Sequence, residues 1–75
     1  MLNKLAKFVK ERRKELALSQ NELAKKMGVT NITISRIENG YTIGSRTLRK
    51  LSSYFNISTR ILRNLMLDKK NEDNE

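Results

Sequence analysis

Cysteine, histidine, proline and tryptophan are all absent from this 75-residue chain. Without cysteine there is no disulfide framework and no thiolate metal site. Without histidine, the commonest general base and metal ligand is missing. The few carboxylates are scattered, so no nucleophile–base pair or metal cluster can be assembled, and neither catalysis, cofactor nor metal is expected. No apolar run approaches the roughly 20 residues that a membrane span needs. The first residues are basic and amphipathic, unlike a secretory signal. A soluble, cytoplasmic protein with no membrane partner is therefore the expectation. No proline interrupts a helix, and no segment alternates in the manner of a strand.

The chain has charge, mostly of one sign: sixteen Lys and Arg against eight Asp and Glu, a net of +8. The distribution is uneven. Residues 1–67 hold fourteen cations against Glu11, Glu15, Glu22 and Glu38, a net of +10, whereas residues 68–75 carry a net of −2. A basic domain concentrates near polyanions, although a solubilising surface has the same composition. The length suits one small domain, which buries only roughly 60–70% of its unfolded surface and gains from dimerisation.

Five helices are readable. The first runs from Asn3 to Leu16 or Ala17, with Leu2, Leu5, Val9, Arg12/Arg13 and Leu16 at three-to-four spacing and Phe8 widening the apolar side. Ser19 and Glu22 then form the S-x-x-E capping box of a second helix, whose apolar face is Leu23 and Met27. Ala24 falls where the next helix crosses close by. Gly28 follows the last turn, where a left-handed conformation is commonly needed. Val29 can pack inward, and Thr30 is a good N-cap for the third helix. Ile34 and Ile37 give that helix its buried side, and Asn39-Gly40 closes it. Asn31, Ile32, Thr33, Ser35 and Arg36 are left to look outward, with Ser35 alternatively turned to the second helix. Tyr41–Gly44 forms a loop. Ser45 caps a fourth helix to about Phe55, with Leu48, Leu51 and Phe55 inward, and Ser58 caps a fifth to about Leu67. The domain is expected over residues 1–68, with 69–75 a polar, disordered tail.

The run Gln20–Asn39 resembles the helix-turn-helix of the lambda-repressor and Cro-like (XRE) transcription regulators, in its cap, alanine, turn glycine and paired isoleucines. Across Leu5 to Leu65 the likeness extends, more weakly, to that family's five-helix, all-α DNA-binding domain. The resemblance implies a regulator, most simply a repressor, that binds double-stranded DNA at an inverted-repeat operator as a homodimer. It implies base contacts from Asn31, Ile32, Thr33 and Arg36. Arginine can grip guanine in the major groove, asparagine can pair with adenine, and an apolar side chain can touch a thymine methyl. A solvated Arg36, or a phosphate clamp there, is the plainer alternative, as is an Ile32 packed on the second helix. Backbone contacts fall to Gln20, Thr30, Asn39 and Tyr41, and a minor-groove contact to Arg46 unless it is a surface charge. Arg13 and Glu38 are implied as a structural ion pair between the first and third helices. The fifth helix has more apolar surface than one docking face needs, so Ile61, Leu65 and Met66 are candidates for the dimer interface. The alternative is a fifth helix fully covered by the first through Phe8 and Leu5. Rival readings on the same fold are an antitoxin and a protein-interaction adaptor, each with an unidentified protein partner.

Overall fold

The computed structural model describes residues 3–67, so Leu2 and the tail expected at 69–75 lie outside the described residues. The chain folds as α1 (Lys4–Glu15), α2 (Gln20–Met27), α3 (Asn31–Glu38), α4 (Ser45–Phe55) and α5 (Thr59–Leu67). Leu5 and Val9 of α1, Leu23, Ala24 and Met27 of α2, Ile34 and Ile37 of α3, Leu48, Leu51 and Phe55 of α4, and Leu62 and Met66 of α5 make one core. Each helix contributes residues three or four apart, the stripe that an amphipathic helix turns inward. Ala24 is fully packed where α2 meets α3, as its small size allows.

Helix starts follow local chemistry at α1, α2, α3 and α5, where Ser58 accepts from the Ile61 amide (3.2 Å). Asn3 accepts from the Ala6 amide (2.8 Å), and its own amide reaches the Gly40 carbonyl (3.3 Å), tying the start of α1 to the end of α3. Ser19 and Glu22 complete a reciprocal capping box. The hydrogen bonds from the Ser19 backbone and hydroxyl region hold the Glu22 carboxyl below the usual glutamate range. This contribution is present above the unfolded-state value and is lost as pH falls through the depressed one. Thr30 caps α3 by accepting from the Thr33 amide. The fourth start departs from expectation. Gly44, not Ser45, is the N-cap of α4, and no side chain caps it. The register that buries Leu48, Leu51 and Phe55 moves Ser45 into the first turn.

The helix ends share one device. In α1 to α4 the chain reverses through a left-handed residue, and the next amide reaches back five residues. Leu18 N–H bonds to Arg13 O (3.1 Å), Val29 to Ala24 (2.9 Å), Tyr41 to Arg36 (3.0 Å) and Ile57 to Ser52 (3.1 Å). The left-handed residues are Ala17 (φ 58°), Gly28 (73°), Gly40 (87°) and Asn56 (59°). Stopping at Ala17 shortens α1 relative to the expected span. Leu16 stays 47% exposed, and Leu18 takes the inward place instead. A left-handed non-glycine residue is strained by about 1–2 kcal/mol, partly offset by the greater freedom that glycine gives the unfolded chain. Ala17→Gly is therefore expected to raise unfolding stability by about 0.5–1 kcal/mol, read as a higher urea midpoint at unchanged slope; an unchanged or lower midpoint would contradict strain at this turn.

Candidate DNA interface

The outer side of α3 is the candidate site, and its geometry begins with what holds α3 in place. Glu38 is 5% exposed. Its carboxylate accepts from Arg13 Nε (2.7 Å) and Nη2 (3.1 Å) of α1, and from Gln20 Nε2 (3.0 Å) at the start of α2. Arg13 also donates from Nη1 to the Leu18 carbonyl (2.9 Å) in the turn between α1 and α2. Hydrogen bonding to Glu38 raises the Arg13 pKa above its already high ordinary value, against the opposing effect of burial. Three helices and one turn thus meet at a single neutralised carboxylate.

With Ile34, Ile37 and Glu38 inward, helical geometry leaves Ile32 and Arg36, four apart, at the centre of the opposite face. Both are exposed, Ile32 at 64%. Asn31 is exposed at the first turn, and Thr33 is half-buried, its hydroxyl 3.0 Å from that of Thr30. Ser35 is half-buried and accepts from the Asn39 amide (3.3 Å). Asn39 is the C-cap, and Tyr41 beyond it is 62% exposed. Arg46 is exposed in the first turn of α4. The structure therefore brings Asn31, Ile32, Thr33, Arg36, Asn39 and Tyr41 onto α3 and its two ends.

Two expected positions sit differently. Gln20 has one amide hydrogen committed to Glu38, so its side chain is held against α3 rather than free at the surface. Met66 is 6% exposed, with Leu62 beside it in the core, so it is not a surface residue of the monomer. Ile61 (51% exposed) and the half-buried Leu65, four apart, form one unburied apolar flank of α5, and Leu67 is exposed at its end. Positions 61 and 65 and positions 62 and 66 have the same spacing, offset by one residue, and only packing tells which pair turns inward.

The loop and the first turn of α4 contribute residues that the sequence did not single out. Thr42, Ile43, Gly44 and Thr47 line an open depression of about 200 Å³ together with Thr33 and Arg36 of α3. The charge of the segment from α2 to α5 favours an anion. From residue 23 to residue 67 Glu38 is the one carboxylate, and it is buried against Arg13, whereas Lys25, Lys26, Arg36, Arg46, Arg49, Lys50, Arg60 and Arg63 are all cationic. A segment with eight cations and no exposed carboxylate suits a phosphate backbone.

Comparison with known proteins identifies a family. Residues 9–62 match the family model described as helix-turn-helix. The chain is also similar to the ImmF control region 10 kDa protein of Bacillus phage phi105, with 36% identity over 61 residues, covering 80% of this chain and 68% of that protein. No solved structure matches significantly.

Removing one partner from the junction beneath the site strands a buried charge, which typically costs about 3–5 kcal/mol. Glu38→Leu and Arg13→Met are each expected to destabilise on that scale, and the double substitution by far less than their sum, because it leaves no unpaired charge. Denaturant unfolding of the three variants measures this; additive losses would show that the two side chains act separately.

Proposed function

The chain belongs to the XRE-type helix-turn-helix family of DNA-binding transcription regulators, and from that premise we propose that it is a repressor that binds an inverted-repeat operator as a homodimer. The observation that carries this reading is the outward face of α3. Ile32 and Arg36 stand exposed on a helix whose opposite face is fixed in the core, and the one carboxylate from residue 23 to residue 67 is the buried Glu38. In this reading α3 lies in the major groove. Arg36 takes a guanine edge, Ile32 a thymine methyl, and Asn31 and Thr33 the neighbouring base edges.

Backbone contacts set register without reading sequence. Thr30, Asn39 and Tyr41 supply them at the two ends of α3. Gln20 supplies one through its remaining amide hydrogen, oriented by Glu38. Arg46 reaches towards the minor groove between half-sites, where a narrow A·T-rich groove attracts arginine.

Ile61 and Leu65 form the apolar flank through which α5 meets its copy, without Met66. A two-fold dimer places the two recognition helices about one helical turn apart, roughly 34 Å. Occupying a promoter in this way blocks polymerase sterically. The similarity to a phage control-region protein favours a genetic control region as the setting, with cytoplasmic action.

Selection of bound sequences from a random duplex pool at about physiological salt, where non-specific phosphate binding is suppressed, tests the reading. The expected product is an inverted repeat with half-sites one turn apart. On it, Arg36→Ala should lose about 1–3 kcal/mol of binding, and much less on random DNA. Folded protein that enriches no sequence would transfer the weight to an antitoxin or an adaptor, and equal losses on both DNAs would remove Arg36 as a base reader.

A further inference from the structure

The loop Tyr41–Gly44 stands beside Arg36 and Thr33, yet one of its anchors comes from the far end of the chain. The Ile43 amide donates to Met66 Sδ at 3.4 Å, from the loop to the last turn of α5. Met66 is 6% exposed, and the Ile43 side chain packs on the same core. The neighbouring N-cap, Gly44, has no side-chain cap to stiffen the entry into α4. Flanking residues of this loop, Thr42 and Gly44, line the depression against α3. A thioether is a weak acceptor, but in a place nearly closed to water it meets a backbone donor that would otherwise be poorly satisfied.

We propose that Met66 is a positioning residue for the DNA-facing loop, so that α5 sets the placement of residues 41–44 against the backbone of bound DNA. The proposal rests on the reading of the α3 side as a DNA interface. It assigns Met66 a role that hydrophobic packing alone does not need: its sulfur acts as the acceptor that fixes the Ile43 amide, and through it the height of Tyr41 and Thr42 beside α3. A leucine fills the same volume with little loss of packing, but accepts nothing.

Two variants separate the acceptor from the core. Met66→Leu keeps an apolar side chain and removes the sulfur. An amide-to-ester replacement of the residue 43 linkage keeps Met66 and removes the donor. Amide hydrogen exchange at Ile43 reads the anchor without any DNA. Affinity for a mixed-sequence duplex of about 20 base pairs at low salt reads the consequence, since backbone contacts do not depend on sequence.

In Met66→Leu, Ile43 should lose about tenfold in exchange protection. Duplex binding should weaken by about threefold to tenfold, at a melting temperature near that of the wild type. The ester variant should weaken binding by a similar factor, and combining the two should add little further. Unchanged Ile43 protection in Met66→Leu overturns the anchor. Unchanged duplex affinity in both variants overturns its role in binding. Wild-type protein that fails to bind duplex at low salt instead removes the DNA reading on which the proposal stands.

Discussion

A carboxylate shut away from water must be matched by donors, and in this chain that requirement organises the side proposed to face DNA. Glu38 sits at the inner end of α3 with both oxygens occupied by Arg13 and one shared with Gln20. Arg13 in turn holds the Leu18 carbonyl in the turn that leads into α2. Because a guanidinium fork accepts few geometries, the pairing fixes the relative placement of α1 and α3 more narrowly than apolar contact would. It also neutralises the carboxylate that would otherwise oppose a phosphate backbone. At the other end of α1, Asn3 holds the Gly40 carbonyl, so α1 braces the end of α3 from both of its own ends. The stability is ordinary packing in a small core, so stranding one partner of this junction would remove a large share of what a domain of this size has.

Much of this was legible in the sequence because the rules involved are local. The Ser19–Glu22 box, the left-handed glycines at positions 28 and 40, and the Ile34/Ile37 face each depend on neighbours within four residues. The five helices and their order follow from the same periodicity. What was not legible depends on which of two equivalent local solutions the tertiary structure selects. Ser45 has better capping chemistry than Gly44, yet burial of Leu48 and Leu51 sets the register. Leu16 continues the stripe of α1, but the left-handed turn at Ala17 gives its place to Leu18. Met66 and Leu65 are equally apolar, and only the fit of α5 against α1 and α4 decides between them.

The candidate site shows the same division. Helical geometry alone sends Ile32 and Arg36 outward once Ile34 and Ile37 are inward. The loop was harder to read, because residues 41–44 have no periodicity and are held by groups distant in sequence, among them the Met66 sulfur. Gln20 combines both cases: its place at the start of α2 is local, whereas the bond that orients its amide comes from α3, eighteen residues away. A side chain tied to the scaffold on one side and open on the other loses less freedom on meeting DNA, which favours binding without any added contact.

The most direct test of the account is a titration of isotope-labelled protein with the operator duplex, followed by amide chemical shifts. The account predicts the largest changes at Gln20, along 30–36 and through 39–46, with the exposed lysines Lys7 and Lys10 of α1 nearly still. Largest changes on the outer face of α1, with α3 unmoved, would place the DNA elsewhere and contradict it.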